Sequence, residues 1–235
     1  MKDSQKVNGG SRSIYWSGGS KGGVGKSMLT MALLDFIHAK GNRPFLIECD
    51  TSNPDVYKSY KDEVESELIN LDERDGWIHL VNVCDAHRDS TIVVNTAARN
   101  NYSVSNYSGT LAGGLEELQR KLVSLWVINR QRDSLELLKE FMEAIPDAAV
   151  HVVRNGYFGE EKKFELYNGS KTKELIEAKG GKSVTFPELA DRVADDLYTR
   201  RLSIGAAGQK LPIGNRMELR RWQGDVKKVL EEIVD

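Results

Sequence analysis

Short apolar runs alternate with longer amphipathic segments along this chain. Runs rich in β-branched and aromatic residues are typical of buried strands, and they lie at residues 13–17, 44–49, 78–83, 91–95, 124–130, 149–154 and 183–186. Apolar residues at helical spacing predict helices at residues 27–41, 115–122, 134–145, 171–181, 187–198 and 216–234. Strands that alternate with helices predict an α/β fold, namely a doubly wound, mostly parallel sheet with helices on both faces.

Some segments do not follow this alternation. Residues 1–12 are polar and predict a disordered tail. Residues 61–75 are acidic and predict an exposed helix or loop whose charges are solvated. Residues 96–114 are rich in Asn, Ser and Gly, and a long irregular segment inside a domain is more often functional than idle. Because no internal repeat or proline-rich linker interrupts the pattern, we expect residues 13–235 to form a single domain.

The composition is that of an ordinary globular protein, with 40% hydrophobic and 29% charged residues among 235. The net charge of −2 exerts no long-range attraction on nucleic acid or anionic membranes, so binding to either needs a local patch of positive charge.

Cys49 and Cys84 lie in apolar runs, which is typical of buried thiols; a disulfide or a metal pair is the alternative. Without an apolar leader or a run of about 20 apolar residues, the sequence predicts a cytoplasmic protein with no integral membrane segment.

The strongest chemical signal is the segment Ser-Lys-Gly-Gly-Val-Gly-Lys-Ser at residues 20–27. It lies between a predicted strand and a predicted helix, which is the context of a phosphate-binding loop. Glycines let successive backbone amides turn inward as an anion nest, and the dipole of the following helix adds positive charge. Lys26 would reach the β- and γ-phosphates, and the Ser27 hydroxyl would bind Mg²⁺. The predicted nucleotide contacts are Gly22, Gly23, Val24, Gly25, Lys26, Ser27 and Met28. The alternative is a glycine-rich turn that binds no ligand.

The motif KGGVGKS resembles the deviant Walker A motif of the ParA/MinD/ArsA-type ATPases, although Ser20 stands where the family usually has its first glycine. The resemblance implies a doubly wound P-loop fold, ATP and Mg²⁺ as cofactors, and a homodimer that forms when ATP binds. It also makes Lys21 the family's second, catalytic lysine, which would reach the phosphates of the partner subunit and stabilise transition-state charge as an arginine finger does. The alternative for Lys21 is a solvated loop lysine.

The same resemblance implies roles for polar residues that follow two predicted strands. Glu48-Cys49-Asp50 is similar to the family's Asp-x-Asp, so Asp50 would orient or deprotonate the attacking water and Glu48 would hold magnesium-bound water. The alternative for Asp50 is a cap of the following turn. Asn95 stands at the family's Walker B aspartate, and its amide is a weaker partner for magnesium-bound water. Slow hydrolysis is therefore expected, and Asn95→Asp should raise turnover if the missing acid limits the rate.

Asn155 and Pro187 are assigned by their order along the chain. In the resembling family an asparagine after the corresponding strand reads the purine edge, and the next loop closes over the base, which implies base contacts from both residues. The alternatives are an ordinary turn at Asn155 and the first turn of a helix at Pro187.

Residues 196–228 carry a basic excess, which is either a DNA-contact face or the polar side of amphipathic helices. The cations in that region are Arg200, Arg201, Lys210, Arg216, Arg220, Arg221, Lys227 and Lys228.

Within the family, the segments DTSNPD, IVVNTAARN and WVINRQRDSLELL resemble plasmid mobilisation and stability ATPases of the MobD, StbB and TraL kind. This implies a slowly hydrolysing ATP-dependent switch in plasmid mobilisation, partition or stability, with DNA or a DNA-processing protein as partner. The alternative is a nucleotide-gated binding module with little or no hydrolysis, which Asn95 favours. A small-molecule kinase is disfavoured, because the sequence has no lid with clustered arginines and Lys21 would have no role.

Overall fold

The computed structural model of this protein describes residues 13–19, 22–98 and 101–235. The predicted tail at residues 1–12, and Ser20 and Lys21 of the predicted phosphate loop, lie outside these residues. The strands are β1 Ser13–Gly19, β2 Pro44–Glu48, β3 Glu65–Leu68, β4 Thr91–Asn95, β5 Lys121–Ile128, β6 Ala149–Asn155 and β7 Ser183–Phe186. The α-helices are α1 Lys26–Ala39, α2 Asp55–Tyr60, α3 Arg74–Ala86, α4 Asn101–Tyr107, α5 Gly109–Leu118, α6 Arg132–Ala144, α7 Glu165–Asn168, α8 Lys171–Ala178, α9 Asp191–Thr199, α10 Ile204–Lys210 and α11 Ile213–Ile233.

The strands form one seven-stranded sheet in the order β3-β2-β4-β1-β5-β6-β7. Every pair of neighbouring strands is parallel, which confirms the predicted α/β fold. Because the strands are parallel, all of their carboxyl ends lie at the same edge. The chain order reverses on either side of β1, and ligands of open α/β sheets bind at such a point.

Both faces of the sheet are covered by helices. Along β1, Tyr15 packs into a cluster with residues of α1, α9, α10 and α11. Its neighbours Ile14 and Trp16 point to the opposite face and pack with residues of α3, α5 and α6. This alternation fixes the register of β1, because a slip by one residue would exchange the two faces. The central strand is therefore packed between helices on both sides.

The strand predicted at residues 78–83 is wrong, because this segment lies within α3. The apolar residues of this segment do not all face the core, since Ile78 is 46% exposed whereas Leu80 is fully buried. The buried residues Trp77, Leu80, Val83 and Cys84 recur at helical spacing instead. A short apolar run therefore indicated the wrong element, and only the longer pattern around it distinguishes the two.

The irregular segment predicted at residues 96–114 is also wrong for the part of it that the structure describes, which contains α4 and the first turns of α5. These helices pack on α6 and α3 respectively, and they bury Val104 and Leu111. Such packing overrides the weak helix propensity of the Asn, Ser and Gly residues. The helix predicted at residues 115–122 ends earlier, at Leu118, because Gln119 adopts a left-handed conformation and β5 begins two residues later.

Two predictions at the ends of the sheet are corrected as well. The acidic segment 61–75 contains an edge strand, β3, whose glutamates keep one side of the sheet charged. Pro187 does not open a helix, since α9 begins at Asp191 and residues 187–190 form a loop. The carbonyl of Pro187 accepts a hydrogen bond from Trp222 Nε1 at 2.8 Å, which anchors this loop on α11.

Candidate functional site

The phosphate loop connects β1 to α1 at the carboxyl edge of the sheet. Gly25 stands at the N-cap of α1 with a φ of 109°, and Gly23 has a φ of 74°, a region that favours glycine. A Cβ atom on Gly25 would lie 2.5 Å from Asn155 Nδ2, so a side chain there would be strained by both the backbone and its neighbour. Around Gly22 and Gly23, in contrast, a Cβ would meet no atom of the described residues within 4 Å. The loop is therefore packed against β6 at Gly25, whereas the described residues leave space beside Gly22 and Gly23.

Lys26 is the first residue of α1 and is only 7% exposed. Burial lowers the pKa of its ammonium group to about 8, and the nearby Asp50 carboxylate opposes this shift. A buried cation at a helix N-terminus is stabilised by an anion, and a polyphosphate would supply one. Ser27 and Met28 follow it and are half-buried.

Glu48 and Asn95 lie side by side where β2 and β4 end, and Ser17 of β1 pairs with Asn95 from the other side. Asn95 is 1% exposed, and its Nδ2 donates to Glu48 Oε1 at 2.8 Å. The hydroxyl of Thr30, on α1, lies 3.0 Å from Asn95 Oδ1 and 2.9 Å from the carbonyl oxygen of Lys26. Thr30, Asn95 and Glu48 therefore belong to one buried network rather than to separate contacts.

Glu48 is fully buried and accepts backbone hydrogen bonds as well. The amide of Asp50 donates to Oε1 at 3.0 Å, and the amide of Tyr57 donates to Oε2 at 3.4 Å. Burial raises the pKa of the Glu48 carboxyl to about 7, although these hydrogen bonds and that of Asn95 lower it. The role of Glu48 and Asn95 in holding magnesium-bound water stays a prediction, and no surface of Glu48 is accessible to solvent.

Asp50 is half-buried and begins the loop between β2 and α2. Its Oδ1 accepts a hydrogen bond from the Asn53 amide at 3.1 Å, so it does cap the following turn. Its charge also acts on Lys26, whose pKa it raises, so the two charged groups are close enough to interact. Capping and a catalytic role are compatible, because one carboxylate oxygen serves the turn while the group remains partly exposed to solvent.

Asn155 lies against the phosphate loop instead of standing free at the end of β6. Its Nδ2 donates to the carbonyl of Val24 at 2.9 Å, and its Oδ1 accepts from the Tyr157 amide at 3.0 Å. These contacts fix the Asn155 side chain and connect β6 to the phosphate loop. Base contacts from Asn155 and Pro187 stay predictions.

The donor set of this site fits a polyphosphate. Gly22 and Gly23 supply backbone amides beside open space, Lys26 supplies a buried cation, and the Ser27 hydroxyl is an oxygen ligand of the kind that Mg²⁺ prefers. Cys49 and Cys84 are buried and unbridged. In the described part of the chain, His, Cys, Asp and Glu form no cluster of three or more that could hold a metal ion.

Replacing Glu48 by glutamine is expected to change how stability depends on pH. The folded pKa of about 7 lies above the ordinary 4.5, so the folded state binds this proton more tightly and loses stability as pH rises from about 4.5 to 7. Relative to wild type, Glu48→Gln should therefore gain up to about 3 kcal/mol of unfolding free energy between pH 4.5 and pH 8. Urea unfolding at several pH values measures this difference. The exposed control Glu140→Gln should track wild type, and a pH-independent difference for Glu48→Gln would contradict the assignment.

Thr30 is a site residue that sequence reasoning missed. It lies one turn after Lys26 and is fully buried, although it belongs to the otherwise apolar run MLTMALL. A polar β-branched residue on the buried side of a helix needs a partner, and this was the available signal. Its partner comes from β4, which is 65 residues further along the chain, so the sequence alone does not reveal the contact.

A parallel sheet with a glycine-rich loop and a buried lysine at its central strand defines a doubly wound P-loop nucleotide-binding fold. Residues 18–156 match the CobQ/CobB/MinD/ParA nucleotide binding domain. The chain is also 65% identical over 223 residues to Protein MobD of Acidithiobacillus ferrooxidans, an alignment that covers 95% of this chain and 98% of that protein. The chain therefore belongs to the CobQ/CobB/MinD/ParA family and is a homologue of MobD.

Two solved structures share this fold at low sequence identity. The MinD cell division protein of Aquifex aeolicus superposes with a TM-score of 0.53 at 14% identity, covering 90% of this chain and 97% of that one. The cell division ATPase MinD of Pyrococcus furiosus gives a TM-score of 0.51 at 12% identity, covering 92% and 98%. Among the helices that the structure describes, none has the length and apolar character needed to cross a membrane.

Proposed function

We propose that this protein is an ATP-dependent molecular switch that hydrolyses ATP slowly and forms a homodimer when ATP is bound. The observation that carries the proposal is the buried Lys26 at the N-terminus of α1, with the Asp50 carboxylate beside it. A cation and an acid so placed suit phosphate binding and the activation of water at the same point. Membership of a nucleotide-binding family supports this assignment.

In this mechanism the loop amides and Lys26 bind the β- and γ-phosphates and neutralise their charge. Mg²⁺, held by Ser27 and the phosphates, would supply additional positive charge at the site. Asp50 then orients the attacking water and accepts its proton. Lys21, which lies outside the described residues, would reach the nucleotide of the partner subunit and make hydrolysis depend on the dimer.

The proposed setting is plasmid mobilisation, partition or stability in the cytoplasm, with DNA or a DNA-processing protein as partner. The 65% identity with MobD supports the mobilisation setting. The excess of cations at residues 200–228, after α9 and along α10 and α11, supports an anionic partner. In that part of the structure Arg221, Lys227 and Lys228 pair with acids of α11, whereas Arg200, Arg201, Lys210, Arg216 and Arg220 make no ion pair with any described residue.

A nucleotide-gated binding module without hydrolysis is the second candidate. Asn95 favours it, because an amide occupies the end of β4 where the resembling ATPases have an acid. Both candidates require ATP binding and dimerisation, and they differ only in phosphate release.

Light scattering combined with phosphate release tests the proposal. With Mg²⁺ and ATP we expect the molar mass to double, whereas with ADP it should stay that of a monomer. Phosphate should appear slowly, and duplex DNA should change its rate. A dimer without any phosphate release would select the binding module, and a mass that is the same with ATP and ADP would contradict the switch.

A further inference from the structure

A line of buried polar groups connects the first turn of α1 to the loop that carries Asp50. It begins at the Thr30 hydroxyl, one turn after Lys26, which donates to Asn95 Oδ1 at 3.0 Å, and it continues through Asn95 Nδ2 to Glu48 Oε1. It ends at the backbone amide of Asp50, which donates to Glu48 Oε1 at 3.0 Å. The line therefore joins the helix that carries Lys26 to the main chain of Asp50, and the proposed function needs the charges of these two residues side by side.

The hydrogen-bonding direction along this line is determined by Glu48. When the Glu48 carboxyl is ionised its Oε1 can only accept, so the group of Asn95 that faces Oε1 is a donor. The Asn95 amide therefore turns its nitrogen to Glu48 and its oxygen to Thr30, which donates. Each polar atom of Asn95 is thus engaged by a neighbouring side chain.

Burial leaves no room for water beside the middle of this line. Thr30 and Glu48 are 0% exposed and Asn95 is 1% exposed, so a water molecule bound to a metal ion would have to displace a protein contact to reach them. All three residues come from different elements, α1, β4 and β2. Their contacts therefore fix the ends of these elements relative to each other.

We infer that Thr30, Asn95 and Glu48 are positioning residues, and that their hydrogen-bonded line holds the Asp50 loop at its working distance from Lys26. The inference rests on the proposed function for the use of Asp50, but the line itself is a property of the nucleotide-free chain. It gives a physical reason for the amide at the end of β4. An aspartate there would place a second carboxylate against Glu48 and would remove the donor, whereas asparagine satisfies both neighbours.

Hydrogen–deuterium exchange of the nucleotide-free protein tests this line. Thr30→Val keeps the shape but removes the hydroxyl, and Asn95→Asp removes the donor to Glu48. Each should raise the exchange rate of the Asp50 and Tyr57 amides by about tenfold or more, as expected when a hydrogen bond to a charged group is weakened. Thr30→Ser keeps the hydroxyl and should restore the wild-type rate.

The matched control is Thr96→Val, which removes another buried hydroxyl, one that donates to the Ser17 carbonyl at 2.8 Å. This control should leave exchange at Asp50 and Tyr57 unchanged. Unaltered exchange in both Thr30→Val and Asn95→Asp would overturn the inference, and so would an equal rise in the control. Because no nucleotide is present, this result does not depend on whether the chain binds ATP.

A second arm separates positioning from a direct role at the metal. Positioning predicts that Asn95→Asp lowers turnover, because the donor to Glu48 is lost and the Asp50 loop is held less firmly. A direct role at the metal predicts the opposite, because the added carboxylate is a better partner for magnesium-bound water. A gain of turnover in Asn95→Asp would overturn the inference in favour of metal-bound water, while leaving the proposed function intact.

Discussion

Replacing Lys26 by alanine is expected to raise the dissociation constant for ATP by at least about a hundredfold. The residue is buried at the N-terminus of α1, so its charge acts on bound phosphates with little screening, and loss of a buried charge partner costs several kcal/mol. Isothermal titration calorimetry with Mg²⁺-ATP measures the effect. The same measurement on wild type should show affinity falling above about pH 8, where the free Lys26 loses its proton.

The control for this substitution is Lys139→Ala, which removes an exposed lysine of α6 whose charge lies outside the site. It should bind ATP as wild type does. If Lys26→Ala bound ATP as tightly as wild type does, the loop would not bind phosphates through Lys26, and the functional assignment would lose its main support.

Replacing Asp50 by alanine is expected to lower the rate of ATP hydrolysis by about a hundredfold or more, the usual contribution of a general base. The dissociation constant for ATP should change by less than about threefold, because Asp50 does not supply the charge that binds phosphate. Single-turnover phosphate release, measured beside calorimetry, separates the two effects. Asp147→Ala, at an exposed position before β6, serves as the control.

Asp50→Asn distinguishes catalysis from capping. Asparagine keeps an oxygen for the Asn53 amide, so the turn is preserved, but it cannot accept the proton of the attacking water. We expect it to be as slow as Asp50→Ala. Wild-type turnover in Asp50→Asn would show that the residue serves only the turn.

Much of the fold follows from patterns within single segments. The strands at residues 13–17, 44–49 and 91–95 are buried runs of β-branched and aromatic residues, and the structure confirms all three. The predictions that were wrong concern segments whose structure depends on contacts with distant parts of the chain. Residues 78–83 look like a strand locally but bury one face of α3, and α4 and α5 form because they pack on α6 and α3.

The candidate site divides in the same way. The glycine-rich loop and Lys26 could be predicted, because the chemistry of phosphate binding requires these residue types in consecutive order. The partners of Asn95 and Asn155 could not, since their hydrogen bonds join residues that lie far apart along the chain. The sequence showed which polar residues follow the strands, and only the packed sheet shows that they bind one another.

Titration of the full chain with ATP, ADP and GTP in the presence of Mg²⁺ tests the central claim most directly. We predict saturable binding of one ATP per chain, weaker binding of GTP, and loss of the ATP signal in Lys26→Ala. If none of the three nucleotides binds to the wild-type protein in the presence of Mg²⁺, the loop is not a phosphate site and the proposed function is contradicted.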